Sequence, residues 1–336
     1  MDFQEALTRL ADGRVLVIGD VMIDRNVFGD AHRISPEAPV PVVLHEATRD
    51  SLGGAGNVAA GVSALGARAC LIGAVGTDRD ADIARRLLAE KGIAAYLIGD
   101  PCRPTTVKER VFVRNQQILR LDRESSAPAS EELRSAFREA MREALPGFSC
   151  VVLSDYNKGT VYPGIIEDIE AAARELGLGR PLILVDPKPA NASCYSGPFM
   201  LTPNASETEA MTGFSVETQE GLLSAGRSLI RRFGASFVLT TLGARGMALF
   251  SADGRCLVAD TRARQVYDVC GAGDTVIAVA AAALSAGVPV AESCAMANSA
   301  AGIAVGKLGT EAVSLSELSE ADWLPMSPVG ETVVSH

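Results

Sequence analysis

The sequence predicts an α/β fold with a mainly parallel central sheet and a small accessory sheet. Three observations carry this: short apolar runs alternate with helical patterns along most of the 336 residues, 48% hydrophobic content suffices for one large core, and two strand-rich segments interrupt the alternation. Arg14–Asp20, an apolar run ending in Gly-Asp, reads as a central strand. The stretch holding Pro36, Pro39 and Pro41 cannot be helical, because proline lacks an N–H and its ring clashes with the preceding turn. Gly54–Leu65 is small-residue and helical, Ala69–Val75 a strand, Arg79–Lys91 a helix and Ala94–Ile98 a strand. Val40–Glu46 and Thr105–Asp122 break the rhythm, the second around a turn candidate at Asn115-Gln116, and are expected to form a small sheet or lid. The βα rhythm resumes with strands at Cys150–Ser154, Leu182–Asp186 and Phe237–Thr241 and helices at Gly221–Phe233, Ala272–Ala286 and Val290–Gly306. No repeat or low-complexity linker divides the chain. One domain over residues 1–330 is expected, with lid segments at about 24–46 and 105–122 and a tail at 331–336.

Composition narrows the function classes. A net charge of −10 supplies no basic field for nucleic acid, so any anionic ligand must meet locally arranged donors. No apolar run reaches membrane-spanning length, and Met1–Asp12 is amphipathic rather than a signal segment. Seven scattered cysteines without Cys-x-x-Cys spacing suit free thiols in a reducing cytosol. His32, His45 and His336 have no transition-metal spacing. A cytoplasmic protein with a small-molecule partner, and with neither nucleic acid nor membrane, is the expectation.

Gly271-Ala272-Gly273-Asp274 directly precedes the apolar run Thr275–Leu284, so its backbone N–H groups are expected at a helix N-terminus, where glycines admit a phosphate and the helix dipole favours its charge. Asp274 there could take a proton from an attacking hydroxyl, or could cap the helix. Asn204 and Glu207, one turn apart after the strand Phe199–Leu201, could hold waters of a hydrated Mg²⁺ or form a capping pair. Lys188, in Asp186-Pro187-Lys188, sits where a strand ends and could neutralise phosphates or be a solvated surface lysine. Two motifs are decoys. Gly54–Ala59 fits a dinucleotide fingerprint but follows a Pro-rich stretch after a complete strand, and Gly302–Lys307 has three residues between its glycines and Leu308 in place of the P-loop Ser/Thr.

Asp268-Val269-Cys270-Gly271-Ala272-Gly273-Asp274 resembles the Asp-x-x-Gly-Ala-Gly-Asp signature of the ribokinase, or PfkB, carbohydrate kinases, and Gly53-Gly54-Ala55-Gly56-Asn57 with Gly66 and Gly76 resembles their N-terminal signature. The similarity covers Arg14 to Leu318. It implies a ribokinase-like three-layer sandwich using ATP and Mg²⁺, with a monovalent cation allowed. It also implies Asp274 as catalytic base with Gly271, Ala272 and Gly273 as the anion loop, and sugar contacts from Gly53, Gly54 and Asn57. Asp24 stands at the family's hydroxyl-binding position, with Met22 where many relatives carry Asn. Asn204 and Glu207 match the Asn-x-x-Glu motif, and Thr240–Gly246, with Gly243 and Gly246, and Asn298 match the nucleotide region.

Arg33–Val42, Asn115–Asp122 and Leu153–Gly159 resemble the kinases of D-glycero-D-manno-heptose 7-phosphate within that family. This resemblance implies formation of the 1,7-bisphosphate for lipopolysaccharide inner-core heptose. The His-x-Gly-His of an adenylyltransferase domain is absent from this sequence, so the kinase reaction alone is expected. The family's lid strands often pair between subunits, which implies a homodimer. Lys108, Arg110 and Arg114 share strand parity and hence one face, which nominates Lys108 and Arg110, with Lys158, for the acceptor phosphate, against an edge-protection role. The rivals are a kinase for another sugar phosphate, a dinucleotide-dependent oxidoreductase and a non-catalytic sugar-binding protein.

Overall fold

A computed structural model describes residues 1–114, 116–261, 271–307, 309, 311–321 and 323–329. After a short helix α1 (Phe3–Arg9), strand β1 (Arg14–Gly19) enters the middle of a large sheet, between β4 (Arg68–Val75) and β8 (Cys150–Ser154). Its Val15, Leu16, Val17 and Ile18 are fully buried, because helices cover both faces of the sheet. Val15 and Val17 pack toward α2 (Ala55–Ala64), α3 (Arg79–Glu90), α8 (Ala272–Ser285) and α9 (Val290–Ala304), while Leu16 and Ile18 pack toward α4 (Glu131–Ala144), α5 (Ile165–Glu175) and α7 (Gln219–Phe233). Three layers result. Small residues set the spacing: a Cβ at Gly61 of α2 would stand 2.9 Å from the Ala278 methyl of α8.

Seven strands of the large sheet run parallel: β5 (Ala94–Gly99), β4, β1, β8, β9 (Leu182–Asp186), β10 (Met200–Leu201) and β11 (Phe237–Thr241). An antiparallel edge of β12 (Met247–Ser251), β13 (Cys256–Ala259) and β14 (Ser327–Pro328) completes it. Parallel order places the carboxyl ends of β1, β8, β9 and β11 along one rim, where open α/β sheets bind ligands. Helix α6 (Ala205–Thr212) follows β10 at that rim. No helix among the described residues is long and apolar enough to cross a membrane.

The second sheet has four strands in the order β3 (Pro41–Gly54), β2 (Val21–Ile34), β6 (Thr106–Val113), β7 (Gln116–Arg123). It reaches further than the expected segment of about 24–46: the β2–β3 hairpin begins one residue after β1 and ends at Gly54, which opens α2 with φ 55°. Residues 48–51 are polar and the segment 47–53 shows no alternation, so the strand was not visible there. The shared face expected for Lys108, Arg110 and Arg114 is corrected. β6 stops at Val113, and Arg114 adopts φ 48° and bonds Asp30, so it belongs to the turn, whereas Gln116 already belongs to β7.

Candidate active site

Gly271 caps α8 with φ 77°, a conformation glycine adopts without strain. Gly273 is exposed with open space where a Cβ would lie, and Ala272 is half-buried beside it. The preceding Asp268, Val269 and Cys270 fall outside the described residues. Asp274 does not cap the helix. Its buried carboxylate accepts the Asn57 amide at 2.8 Å on Oδ2 and the Tyr156 hydroxyl at 2.5 Å on Oδ1. Burial pushes its pKa up to about 6; the Asn57 and Tyr156 donors hold it down, the Asp24 charge raises it, and Lys188 opposes.

At the end of β9, burial drives the Asp186 carboxyl well above the usual carboxylate range; Lys188 counters this, while Asp274, Glu207 and Asp155 add to it. Burial disfavours the Lys188 ammonium, yet Asp186 and an ion pair with Glu207 Oε1 leave its pKa above the ordinary value. Asn204 and Glu207 form a reciprocal capping box: Glu207 N–H donates to Asn204 Oδ1 at 2.9 Å and Asn204 N–H donates to Glu207 Oε2 at 3.0 Å. Each Glu207 oxygen thus has one protein partner, and a carboxylate oxygen can accept a second donor. The capping arrangement and a water-mediated hold on a cation are therefore compatible. Among the described residues no group of three or more His, Cys, Asp or Glu side chains is placed to chelate a metal directly.

Gly243 and Gly246 bracket a one-turn 3₁₀ helix after β11, with φ of 59° and 82°. Thr240 lies inside β11, fully buried, and its hydroxyl lacks a partner. Asn298 of α9 is also buried, donating to the Asp260 carbonyl at 2.7 Å. Both side chains are thus buried rather than displayed at the surface.

The small sheet meets this rim through Asp24, which is buried and accepts from Arg110 Nη1 at 2.6 Å. A Cβ at Gly53 would stand 2.5 Å from Asp24 Oδ2, and one at Gly54 would stand 2.5 Å from the Asp20 carbonyl, so only glycine fits at either position. Lys108 places its ammonium 5.3 Å from the Tyr156 ring centroid, a cation–π distance. Lys158 instead pairs with Glu124 at 2.7 Å. Strand register aligns Ser51, Asp24, Lys108 and Asp122 in one cross-strand row, and Arg49, Asn26, Arg110 and Arg120 in the next row on the same face. The cations beside Arg110 come from other strands, not from Arg114.

The profile of the pfkB family carbohydrate kinases matches residues 12–317. The chain belongs to the pfkB carbohydrate kinase family. It is accordingly an ATP-dependent carbohydrate kinase, and the oxidoreductase alternative falls with that assignment. Curated relatives of this pfkB kinase include the proteins named Bifunctional protein HldE from Geotalea uraniireducens, 41% identical over 94% of this chain and 64% of the relative, and from Paramagnetospirillum magneticum, 40% identical over 98% and 69%. The HldE of Methylococcus capsulatus is 45% identical over 92% of this chain and 63% of its own length. This chain thus spans under two thirds of the length of several curated relatives it matches. Solved structures share the ribokinase-like fold. Phosphofructokinase-2 from Escherichia coli in complex with substrates and products superposes with a TM-score of 0.74 at 18% identity, covering 91% of this chain and 97% of that one. Arabidopsis thaliana ribokinase complexed with ribose and ATP gives 0.70 at 20%, covering 91% and 97%.

Several residues of this pfkB kinase carried no assigned role in the sequence. Asp20 accepts the backbone N–H groups of Tyr156, Lys158 and Thr160, fixing the loop after β8. Asp155 accepts from Asn157 N–H, Asn191 and the Tyr195 hydroxyl, and Tyr195 in turn accepts the Lys188 N–H at 2.9 Å. The apolar run ending in Gly-Asp and the Asp-Tyr-Asn-Lys-Gly string were the available signals, but neither shows which groups the loop approaches. Arg49 and Asn26 had no signal at all, since their neighbours across the sheet are distant in sequence.

Proposed function

We propose that this kinase transfers the γ-phosphoryl group of MgATP to the anomeric C1 hydroxyl of D-glycero-D-manno-heptose 7-phosphate, giving the 1,7-bisphosphate that feeds lipopolysaccharide inner-core heptose. The observation that carries the reading is the buried Asp274 carboxylate beside the open N-terminus of α8, with Asp24 of the small sheet close enough to raise its pKa and Lys108 of that sheet over the Tyr156 ring that bonds it. Asp274 accepts the proton of the attacking hydroxyl, and the N–H groups of the Gly271–Gly273 loop stabilise the transferring phosphoryl group. Asn57, Gly53 and Asp24 shape the sugar pocket. Lys188 offsets phosphate charge, and the turn holding Gly243 and Gly246 takes the nucleotide. Asn204 and Glu207 would hold Mg²⁺ through water; bound there, the ion supplies charge neutralisation at the phosphates.

A phosphorylated acceptor is supported by the rows holding Lys108, Arg49, Arg110 and Arg120. A cross-strand row two residues beyond Asp24 lies about 7 Å along the strand, the scale of a sugar chain leading from a reacting carbon to a distal phosphate. The HldE relatives and the resembling segments around Arg33, Asn115 and Leu153 favour the heptose over other sugar phosphates. Closure of the small sheet would exclude water, which otherwise competes as a nucleophile. Ile34, Val40, Leu44, Ile118, Leu119 and Leu121 are exposed on that sheet and its connecting turn, which supports a homodimer formed through it.

ADP release measured across a panel of sugar phosphates tests the reading. The heptose 7-phosphate is expected to give the highest kcat/KM, with phosphate added at C1 by product NMR. A fructose phosphate outperforming it, or phosphorylation at another carbon, would overturn the substrate assignment.

A further inference from the structure

We propose that Tyr156 is a positioning residue for phosphoryl transfer, its hydroxyl fixing the Asp274 carboxylate so that the lone pairs left over meet the acceptor hydroxyl. The inference rests on the reading of Asp274 as base. Tyr156 donates to Oδ1 at 2.5 Å while Asn57 donates to Oδ2 at 2.8 Å, so two donors from different elements hold both oxygens and remove rotation about the carboxyl bond. An aspartate able to rotate would spend part of its time aimed away from the substrate, and small misplacements of a base are costly.

Tyr156 is itself held. Its N–H donates to Asp20 at 2.8 Å, the Asn157 N–H donates to Asp155 at 2.6 Å and the Lys158 N–H donates to Asp20 at 2.9 Å, so the loop backbone is anchored at and after the ring. The ring has the Lys108 ammonium, from the small sheet, and the Lys188 ammonium, from the rim of the large sheet, each 5.3 Å from its centroid. Both cations favour the ring's negative face. Tyr156 therefore joins the base to one cation from each sheet. Burial raises the phenol well above its ordinary range, with Asp274, Asp186 and Asp24 adding to the shift, so it remains a neutral donor throughout the working pH range. The groups that face Asp274 are Asn57 of α2, Tyr156 after β8, Asp24 of β2, and Asp186 and Lys188 at the end of β9. Among them Tyr156 and Asn57 are the ones that donate hydrogen bonds to its carboxylate. Losing either makes the ionised form harder to keep.

Tyr156→Phe keeps the ring and both cation contacts and removes the hydroxyl alone. Hydrogen bonds to a charged group correspond to roughly tenfold to hundredfold effects, so kcat is expected to fall by about that factor while the KM for ATP stays put. The acid limb of the pH–rate profile should move to higher pH. A purely structural tyrosine would not move that limb. Should the phenylalanine variant fold poorly, 3-fluorotyrosine incorporated in place of Tyr156 gives a stronger donor of nearly the same size, and the acid limb is then expected to move to lower pH. An unmoved acid limb in the folded phenylalanine variant, or in the fluorotyrosine protein, overturns the proposal. Asp274→Asn separates the two levels: near-wild-type turnover there would remove the base reading itself, whatever Tyr156 does.

Discussion

The two sheets solve different problems. In the large sheet, β1 and β8 bury nearly every side chain, and the strands are held by apolar contact with helices on both sides. In the small sheet, β7 is exposed along its whole length and β3 along half of it, and charge pairing supplements the few apolar contacts, from Val21, Ile23, Leu52 and Val107, that join the strands to the core. Arg25 of β2 bonds Asp50 of β3 and Asp80 of α3, and Arg123 of β7 also reaches Asp80. A surface so thinly supported by apolar burial opens more readily than a core. The rigid rim therefore suits chemistry that needs fixed distances, and the small sheet suits recognition and closure.

The largest expected effect lies on the rim. Asp274→Asn should lower turnover by at least about a hundredfold, the scale of general-base catalysis, with nucleotide binding measured calorimetrically left intact. A folded variant with normal turnover would break the division of labour at its centre. On the small sheet, replacing Lys108 and Arg110 together with neutral residues should raise the acceptor KM by roughly two orders of magnitude, from two charge-assisted phosphate bonds, while the KM for ATP moves little. Unchanged acceptor KM at normal thermal stability would make these cations edge protection and turn attention to Lys158 or Arg33. The same steady-state assay on Arg49→Gln sharpens the comparison, since a smaller acceptor-specific loss is expected if the second row shares the phosphate.

Activity in the wild type should fall as pH drops through about 6. The raised pKa makes Asp274 protonate, and lose its base function, at a higher pH than an ordinary carboxylate would. A pH–rate profile flat down to pH 5 would exclude it as the titrating base. The smallest effect is expected for Glu207→Gln, which should raise the magnesium needed for half-maximal rate severalfold by weakening a water-mediated contact. Because Glu207 also closes the capping box and pairs with Lys188, a melting curve must accompany the magnesium titration. Unchanged magnesium dependence would leave the pair as helix capping.

Most of the large sheet was legible because its signal is local. A strand buried on both faces must be apolar along its length, as Val15–Ile18 and Val151–Leu153 are, and the following helices carry their own periodicity. The Gly271–Asp274 loop was legible for a similar reason, since its glycines and the helix behind it are contiguous. The extent of β3 was not, because an exposed strand lacks the alternation that burial imposes, and Arg114 was misplaced because nothing in its immediate sequence announces a positive φ.

The amino-acid sequence by itself determined the family, the alternating architecture, and the glycine loop that opens α8, because each is written in a run of neighbouring positions. Only the tertiary structure decided what those residues touch. It took Asp274 away from helix capping and set it between Asn57 and Tyr156, more than a hundred positions away in either case, and it gathered Arg49, Asn26, Arg110 and Arg120 from four strands into one row. Hydrogen bonds across such separations depend on how sheets and helices stack, and sheet stacking is fixed by the sum of many apolar contacts rather than by any local pattern.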